Sequence, residues 1–464
     1  MTIDRRDLLK AAAAAAALGL PRNAQAGSTG AHTTSGQPTR PRPTASQLQW
    51  QRDELAMFLH FGVNTFTDRE WGDGKEDPRI FAPTALDARQ WARTAKATGF
   101  RMMILTAKHH DGFCLWPTRT TTHSVASSPW RDGKGDLVRE FVDACREEGL
   151  RAGLYLSPWD RNHPAYGDTP RYNGIYRAQL TELLTTYGRI DEVWFDGANG
   201  EGPNGKKQEY DWPATWGLVR ELQPQAVMFS DAGPDVRWIG NERGAAGTTN
   251  WSTVDPRIVT RPGMEGADVM RSLQDGDRDG STWRPGETDV SIRQGWFYHA
   301  GEDERVRTPQ NLVELYFSSV GRNSKLLLNV PPDRRGLLSD ADVAALTGMR
   351  TRLDALFARD LAAGSTAAVR ATGRRGMRFE YALAAPATIG IIDLSEPIER
   401  GQRVAAHRVE LFDGGAWHEV VRGTTIGYRR LTRITPTRAS RVRLHVDDAV
   451  EPPEFVTLRC FSGS

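Results

Sequence analysis

Residues 151–197 read RAGLYLSPWDRNHPAYGDTPRYNGIYRAQLTELLTTYGRIDEVWFDG. The stretch opens with an apolar strand, Arg151 to Ser157, passes through a helical run, Ile175 to Tyr187, and ends in a second strand, Glu192 to Asp196. Strand, helix and strand in that order imply parallel pairing through a right-handed crossover. Working outward, the same alternation continues on both sides. Before it come a strand from Leu55 to Gly62, a helix from Ala85 to Thr98, a strand from Met102 to Lys108 and a helix from Leu137 to Glu148. After it come a helix from Trp212 to Leu222, a strand from Ala226 to Ser230, a late strand from Lys325 to Val330 and a helix from Ala341 to Phe357. The repeat predicts an α/β fold, a (β/α)8-like TIM barrel over residues 47–360, in preference to an open sheet. Beyond Gly364 the helical period disappears. Alternating runs such as Ala387 to Asp393, His407 to Asp413, Arg441 to Val446 and Phe455 to Cys460 predict an all-β sandwich, an accessory domain over 365–464.

The 464 residues carry 60 Lys+Arg against 58 Asp+Glu, a formal net charge of +2. A protein that relied on neutralising phosphates would show a basic excess, so no nucleic acid is expected as a partner. With 39% hydrophobic and 25% charged residues the chain has an ordinary globular composition. Cys114, Cys145 and Cys460 lie far apart and match no zinc or C-x-x-C spacing, which argues against a disulfide scaffold. Fourteen tryptophans are many for this length, and their flat faces suit sugar rings as well as ordinary cores.

Residues 1–26 read as an export signal. Arg5-Arg6 precedes Leu8-Leu9-Lys10, an apolar run from Ala11 to Leu20 follows, and Ala24-Gln25-Ala26 forms a small-residue end. The run is too short to span a bilayer, so no membrane span is expected. The arginine pair resembles a twin-arginine signal, with Asp4 where serine is usual, and implies a periplasmic or secreted protein. Residues 27–46, rich in Gly, Ser, Thr and Pro, read as a flexible spacer.

Barrel active sites gather at the carboxyl ends of the strands. There the sequence places His60, the run Lys108-His109-His110-Asp111-Gly112-Phe113, Tyr155 with Ser157, and Trp194-Phe195-Asp196-Gly197. Trp194 and Asp196, two apart on one strand, share a face. A carboxylate at a barrel mouth beside an indole can attack a ring carbon. Three histidines also suit a metal-dependent barrel hydrolase, but adjacent His109 and His110 leave a strand in opposite directions unless the backbone turns, which argues against two ligands on one ion. No metal and no cofactor are expected.

These motifs resemble the α-L-fucosidases of glycoside hydrolase family 29. The resemblance rests on Phe58-Leu-His60-Phe-Gly62, Arg69-Glu70-Trp71, Ala107-Lys-His-His-Asp-Gly-Phe113, Gly153-Leu-Tyr155-Leu-Ser157 and Val193-Trp-Phe-Asp196-Gly197, within residues 50 to 350. It implies Asp196 as nucleophile, a fucose pocket of His60, Glu70, Trp71, His109, His110, Tyr155 and Trp194, and Trp296 as a late pocket aromatic. The runs after Asp196 and Trp238-Ile-Gly-Asn-Glu242 resemble the branch acting on α-1,3- and α-1,4-linked fucose of Lewis-type glycans, which implies Glu242 as acid/base. Glu201 and Glu287 remain rivals for that role. A retaining exo-hydrolase of this kind needs two carboxyls about 5–5.5 Å apart. Its partner is a fucosylated oligosaccharide. The alternative from another class is a non-catalytic carbohydrate-binding protein, with Trp417 and Tyr428 as conceivable stacking residues of the sandwich.

Overall fold

The computed structural model describes residues 40–463; the expected export signal and residues 27–39 of the expected spacer lie outside them. Helix α1 (Ala45–Arg52) starts inside the stretch read as spacer. Its start is set by a capping box, in which Thr44 and Gln47 exchange side-chain and backbone bonds.

Eight strands follow, each paired in parallel with the next: β1 (Leu55–Leu59), β2 (Met102–Lys108), β3 (Arg151–Leu156), β4 (Glu192–Trp194), β5 (Val227–Ser230), β6 (Val236–Trp238), β7 (Gly286–Ser291) and β8 (Ser324–Asn329). β8 returns to β1 and closes the barrel. The outer helices are α2 (Val63–Thr67) and α3 (Ala88–Ala97) after β1, α4 (Leu137–Glu148) after β2, α5 (Thr169–Thr186) after β3 and α6 (Trp212–Leu222) after β4. α7 (Ala267–Asp275) follows β6, α8 (Pro309–Ser318) follows β7 and α9 (Asp340–Leu356) follows β8. β5 and β6 are joined by the five residues Asp231 to Asp235 without a helix, so the barrel is (β/α)8-like and one helix short.

The barrel interior is filled by Phe58, Ile104, Tyr155, Trp194, Phe229 and Leu327, while a second layer of apolar side chains packs the helices on the outside of the strands. α1 covers the amino-terminal end. Its Trp50 Nε1 donates to Glu192 Oε2 at 2.8 Å, and Gln47 Nε2 donates to the carbonyls of Asp235 and Trp283.

The second domain is a six-stranded antiparallel sheet of β9 (Ala368–Ala371), β10 (Met377–Ser395), β11 (Val404–Asp413), β12 (Ala416–Gly423), β13 (Arg430–Ala449) and β14 (Thr457–Phe461). The long β10 and β13 shift register between Ala382 and Ala387 and again between Ile389 and Ile391. After the second shift Ile392 and Leu394 fill this domain's own core, whereas Ile391, with Leu431 and Phe461, joins the barrel's apolar layer. All three cysteines are free and buried. No helix among the described residues is long and apolar enough to cross a membrane.

Candidate active site

Asp196 stands just past β4, where the chain leaves the ladder. Its Oδ1 accepts from the Ala198 N–H at 2.7 Å and its Oδ2 from Tyr155 Oη at 3.1 Å, and its side chain keeps 15% exposure. Two donors on one carboxylate fix its orientation and favour its charge. Below it, Trp194 stacks on Phe229 with centroids 4.1 Å apart and donates from Nε1 to Glu287 Oε1 at 3.0 Å.

The chain turns directly after Lys108: Gly112 N–H bonds the His109 carbonyl, and Gly112 takes φ +83°. The turn brings the His109 and His110 rings within 4.1 Å of each other, both at the mouth, so they do not leave the strand in opposite directions. His110 Nε2 lies 3.9 Å from Asp196 Oδ2. Ser157 gives its hydroxyl proton to the Trp159 carbonyl, so His110 Nδ1 donates to Ser157 Oγ at 2.7 Å. The His109 ring lies 5.8 Å from Tyr155 and 5.4 Å from His60.

His60 Nδ1 meets Asn329 Oδ1 at 2.8 Å. Asn329 spends its amide N–H groups on Ser291 Oγ and the Trp296 carbonyl, which orients the oxygen toward His60, so Nδ1 carries the proton and Nε2 is left as an acceptor. Burial pushes His60 down to about 4 and His109 well below the ordinary histidine value. Both are therefore neutral imidazoles near pH 7, suited to sugar hydroxyls. Burial drives Asp111 up to about 7 despite the bond it accepts from the Phe113 N–H. Asn64 Nδ2 reaches its other oxygen at 3.2 Å.

Trp71 meets the His110 ring edge-on at 5.8 Å and Trp159 at 5.9 Å, and Trp296 tilts over His60 at 5.1 Å. Glu70 clamps the loop after β7. Its carboxylate accepts the N–H groups of Trp296 and Phe297 at 2.7 and 3.1 Å and pairs with His299 Nε2 at 2.7 Å. His299 also meets Asp68 at 2.8 Å, and the Glu70 bond, aided by Asp68, raises it to about 9.

Glu242 lies in the loop leaving β6, half-buried, between Gly240 and Gly244, both at positive φ. Asn241 shapes this loop by accepting from Arg243 N–H and donating to the Ala245 carbonyl. A Cβ on Gly244 would come within 2.8 Å of Leu315 and Val290, so only glycine fits there. Glu201 is exposed and lends its carbonyl to Trp159 Nε1. Glu287 is fully buried inside the barrel, where burial and nearby Glu192 push it well above the usual carboxylate range.

Tyr428 packs at the barrel interface, its hydroxyl on the Ser324 carbonyl, and the guanidiniums of Arg443 and Arg441 lie 3.7 and 5.1 Å from the Trp417 ring, so neither is an open stacking platform. His299, Asn329, Trp159 and Phe297 also contact the residues gathered at the mouth, and the sequence did not single them out. Asn329 carried a usable signal as the polar closer of β8; His299 is recognisable only through its contacts. Among the described residues no group of three or more His, Cys, Asp or Glu is placed to hold a metal ion.

The alpha-L-fucosidase family model matches residues 74–355. Alpha-L-fucosidase 1 of Arabidopsis thaliana is 45% identical over 92% of this chain and 89% of its own. Among solved structures, a glycoside hydrolase 29 family member from an unknown rumen bacterium is 41% identical with a TM-score of 0.85, covering 92% of this chain and 78% of that one. A Ruminococcus gnavus family 29 fucosidase in complex with fucose is 30% identical with a TM-score of 0.82, covering 93% and 97%. A barrel mouth of this composition and likeness of this extent lead to one conclusion: the chain belongs to the α-L-fucosidases of glycoside hydrolase family 29.

Proposed function

We propose that this α-L-fucosidase releases α-1,3- or α-1,4-linked L-fucose from branched, Lewis-type glycans with retention of configuration, Asp196 acting as nucleophile and Glu242 as acid/base. The observation that carries the reading is Asp196, a partly open carboxylate held by Tyr155 and the Ala198 N–H among neutral histidines and tryptophan rings. In the first step Asp196 attacks the anomeric carbon while Glu242 gives its proton to the leaving oxygen. The glycosyl ester removes the charge of Asp196. Glu242, now ionised, takes a proton from water, which attacks the same carbon and frees fucose. His60 and His109 serve the sugar hydroxyls and Trp71 and Trp296 its apolar edge. Residues 1–26 are read as a twin-arginine signal that sends the protein to the periplasm or beyond.

Free fucose released from a Lewis trisaccharide, 2′-fucosylated lactose and an aryl α-L-fucoside tests the reading. Release from the Lewis glycan but not from 2′-fucosylated lactose is the expected result. Asp196→Ala abolishes turnover, and azide restores it with a β-configured product; an α product would place the nucleophile elsewhere. Glu242→Ala cripples glycans but spares the aryl fucoside, whose leaving group needs little protonation. Normal glycan turnover by Glu242→Ala, or sugar binding without turnover by the native chain, overturns the mechanism.

A further inference from the structure

A groove of about 430 Å³ lies between α8 and the first residues of β13, where barrel and second domain meet. It is far from the chemistry. Arg322 precedes β8, whereas the site residue Asn329 ends it, a separation of about 17 Å for the strand alone. The floor is apolar, from Leu315, Phe317 and Leu431, and the rim carries Arg322, Arg430 and Arg433.

The charges are unbalanced. Arg433 is paired with Glu314 at 3.1 Å and lies over the Phe317 ring at 4.1 Å. Arg322 and Arg430 are opposed across an isolated antiparallel bridge, an arrangement that is unfavourable for like charges. Among the described residues neither has an ion pair. Each spends one N–H on a backbone carbonyl, Arg322 on Ala246 at 2.9 Å and Arg430 on Thr248 at 2.7 Å, leaving further guanidinium donors. Burial, aided by the Arg322 charge, lowers Arg430 to about 10. Three guanidiniums thus face one carboxylate around a concave, partly apolar space. That is the composition of a pocket that takes its counter-charge from a ligand.

We propose that this groove binds a small anionic molecule, one carrying a sulfate, phosphate or carboxylate group beside an apolar face. The oxyanion accepts from Arg322 and Arg430 together, and Phe317 and Leu431 receive the apolar part. Such a site would let an anionic neighbour of the fucosylated substrate, or a free anionic metabolite, occupy the enzyme without competing at the barrel mouth.

Calorimetric titration of the full chain with inorganic sulfate, inorganic phosphate, glucose 6-phosphate and N-acetylglucosamine 6-sulfate, with glucose as the neutral control, tests this. Expected is saturable binding of the sugar esters, tighter than the free ions, weakened by salt and absent for glucose. Arg322→Gln and Arg430→Gln each weaken it at least tenfold, and Thr432→Glu, which supplies a carboxylate from within the groove, abolishes it. All three keep the native melting temperature and aryl fucoside turnover. Equal binding of ions and esters overturns the apolar half of the proposal. No binding of any anion, or binding unchanged in the three variants, overturns all of it.

Discussion

The proposed chemistry turns on one bond, between Tyr155 and Asp196. The Tyr155 hydroxyl donates to Asp196 at 3.1 Å and so stabilises the carboxylate over the acid. Tyr155→Phe removes a bond to a charged group, worth about 1.5–3 kcal/mol, and kcat/KM for an aryl fucoside is expected to fall about 10- to 100-fold. The acid limb of its pH profile should move to higher pH, because the unassisted carboxylate holds its proton longer; an unmoved limb would mean that Tyr155 does not serve the ionised form. Most of the side chains gathered at the barrel mouth were legible because polar side chains closing apolar strands are local features. The clamp that Glu70 makes was not: its partners Trp296 and Phe297 lie on a loop 226 and 227 residues away. Whether the chain turns after Lys108 was left open by the sequence; the turn, not the strand's alternation, sets the directions of His109 and His110.

The elements explain why that turn holds. Lys108 ends β2 fully buried, its ammonium bonded to Asp160 at 3.1 Å, Tyr172 at 3.0 Å and Gln179 at 2.9 Å, which ties β2 to α5 just before the histidine pair. Burial pushes Asp160 up, but Lys108 and the His163 N–H outweigh it and hold its carboxyl below the usual range. Lys108→Met leaves that carboxylate buried without its cation, and a loss of about 3–5 kcal/mol is expected in urea unfolding. Asp160→Asn in the same chain should recover part of it. In the second domain His407 on β11 is buried and pushed down to about 4, its Nδ1 on the Thr424 carbonyl at 2.9 Å. An unfolded histidine titrates near 6.5, so between the two values the unfolded chain binds more protons. This contribution to stability is present above about pH 6.5 and is lost as pH falls through about 4. His407→Asn should remove it, the gap in unfolding free energy between native and variant chains changing by about 1.4 kcal/mol per pH unit across that window. Two barrel strands escaped the sequence reading for a physical reason. β6 has three residues, and β7 reads Gly-Glu-Thr-Asp-Val-Ser, polar because Glu287 and Asp289 point inward to the indoles of Trp194 and Trp238.

The whole molecule depends on the seam between its domains. Arg429 reaches Glu54 at 2.8 Å and Asp393 at 3.1 Å, Arg459 adds a second cation to Asp393, and Phe357 meets Phe461 edge-on at 5.1 Å. A chain ending at residue 360 would expose the Phe317 and Phe357 face and strip Glu54 of its cation Arg429, leaving it only the Tyr316 hydroxyl. It is expected to aggregate rather than fold to an active barrel; soluble, fully active protein would show that the seam is dispensable. The sequence by itself determined the alternation of strands and helices, the change of texture after Gly364 and the set of residues that close β1 to β4, since hydrophobic period and strand ends are properties of neighbours in the chain. Only the tertiary structure decided the missing helix between β5 and β6, the inward polar face of β7, the clamp of Glu70 on Trp296 and the opposed arginines of the seam. Each of these depends on contacts that exist only once the barrel has closed and the second domain has packed against it, and no local pattern encodes a partner that far away.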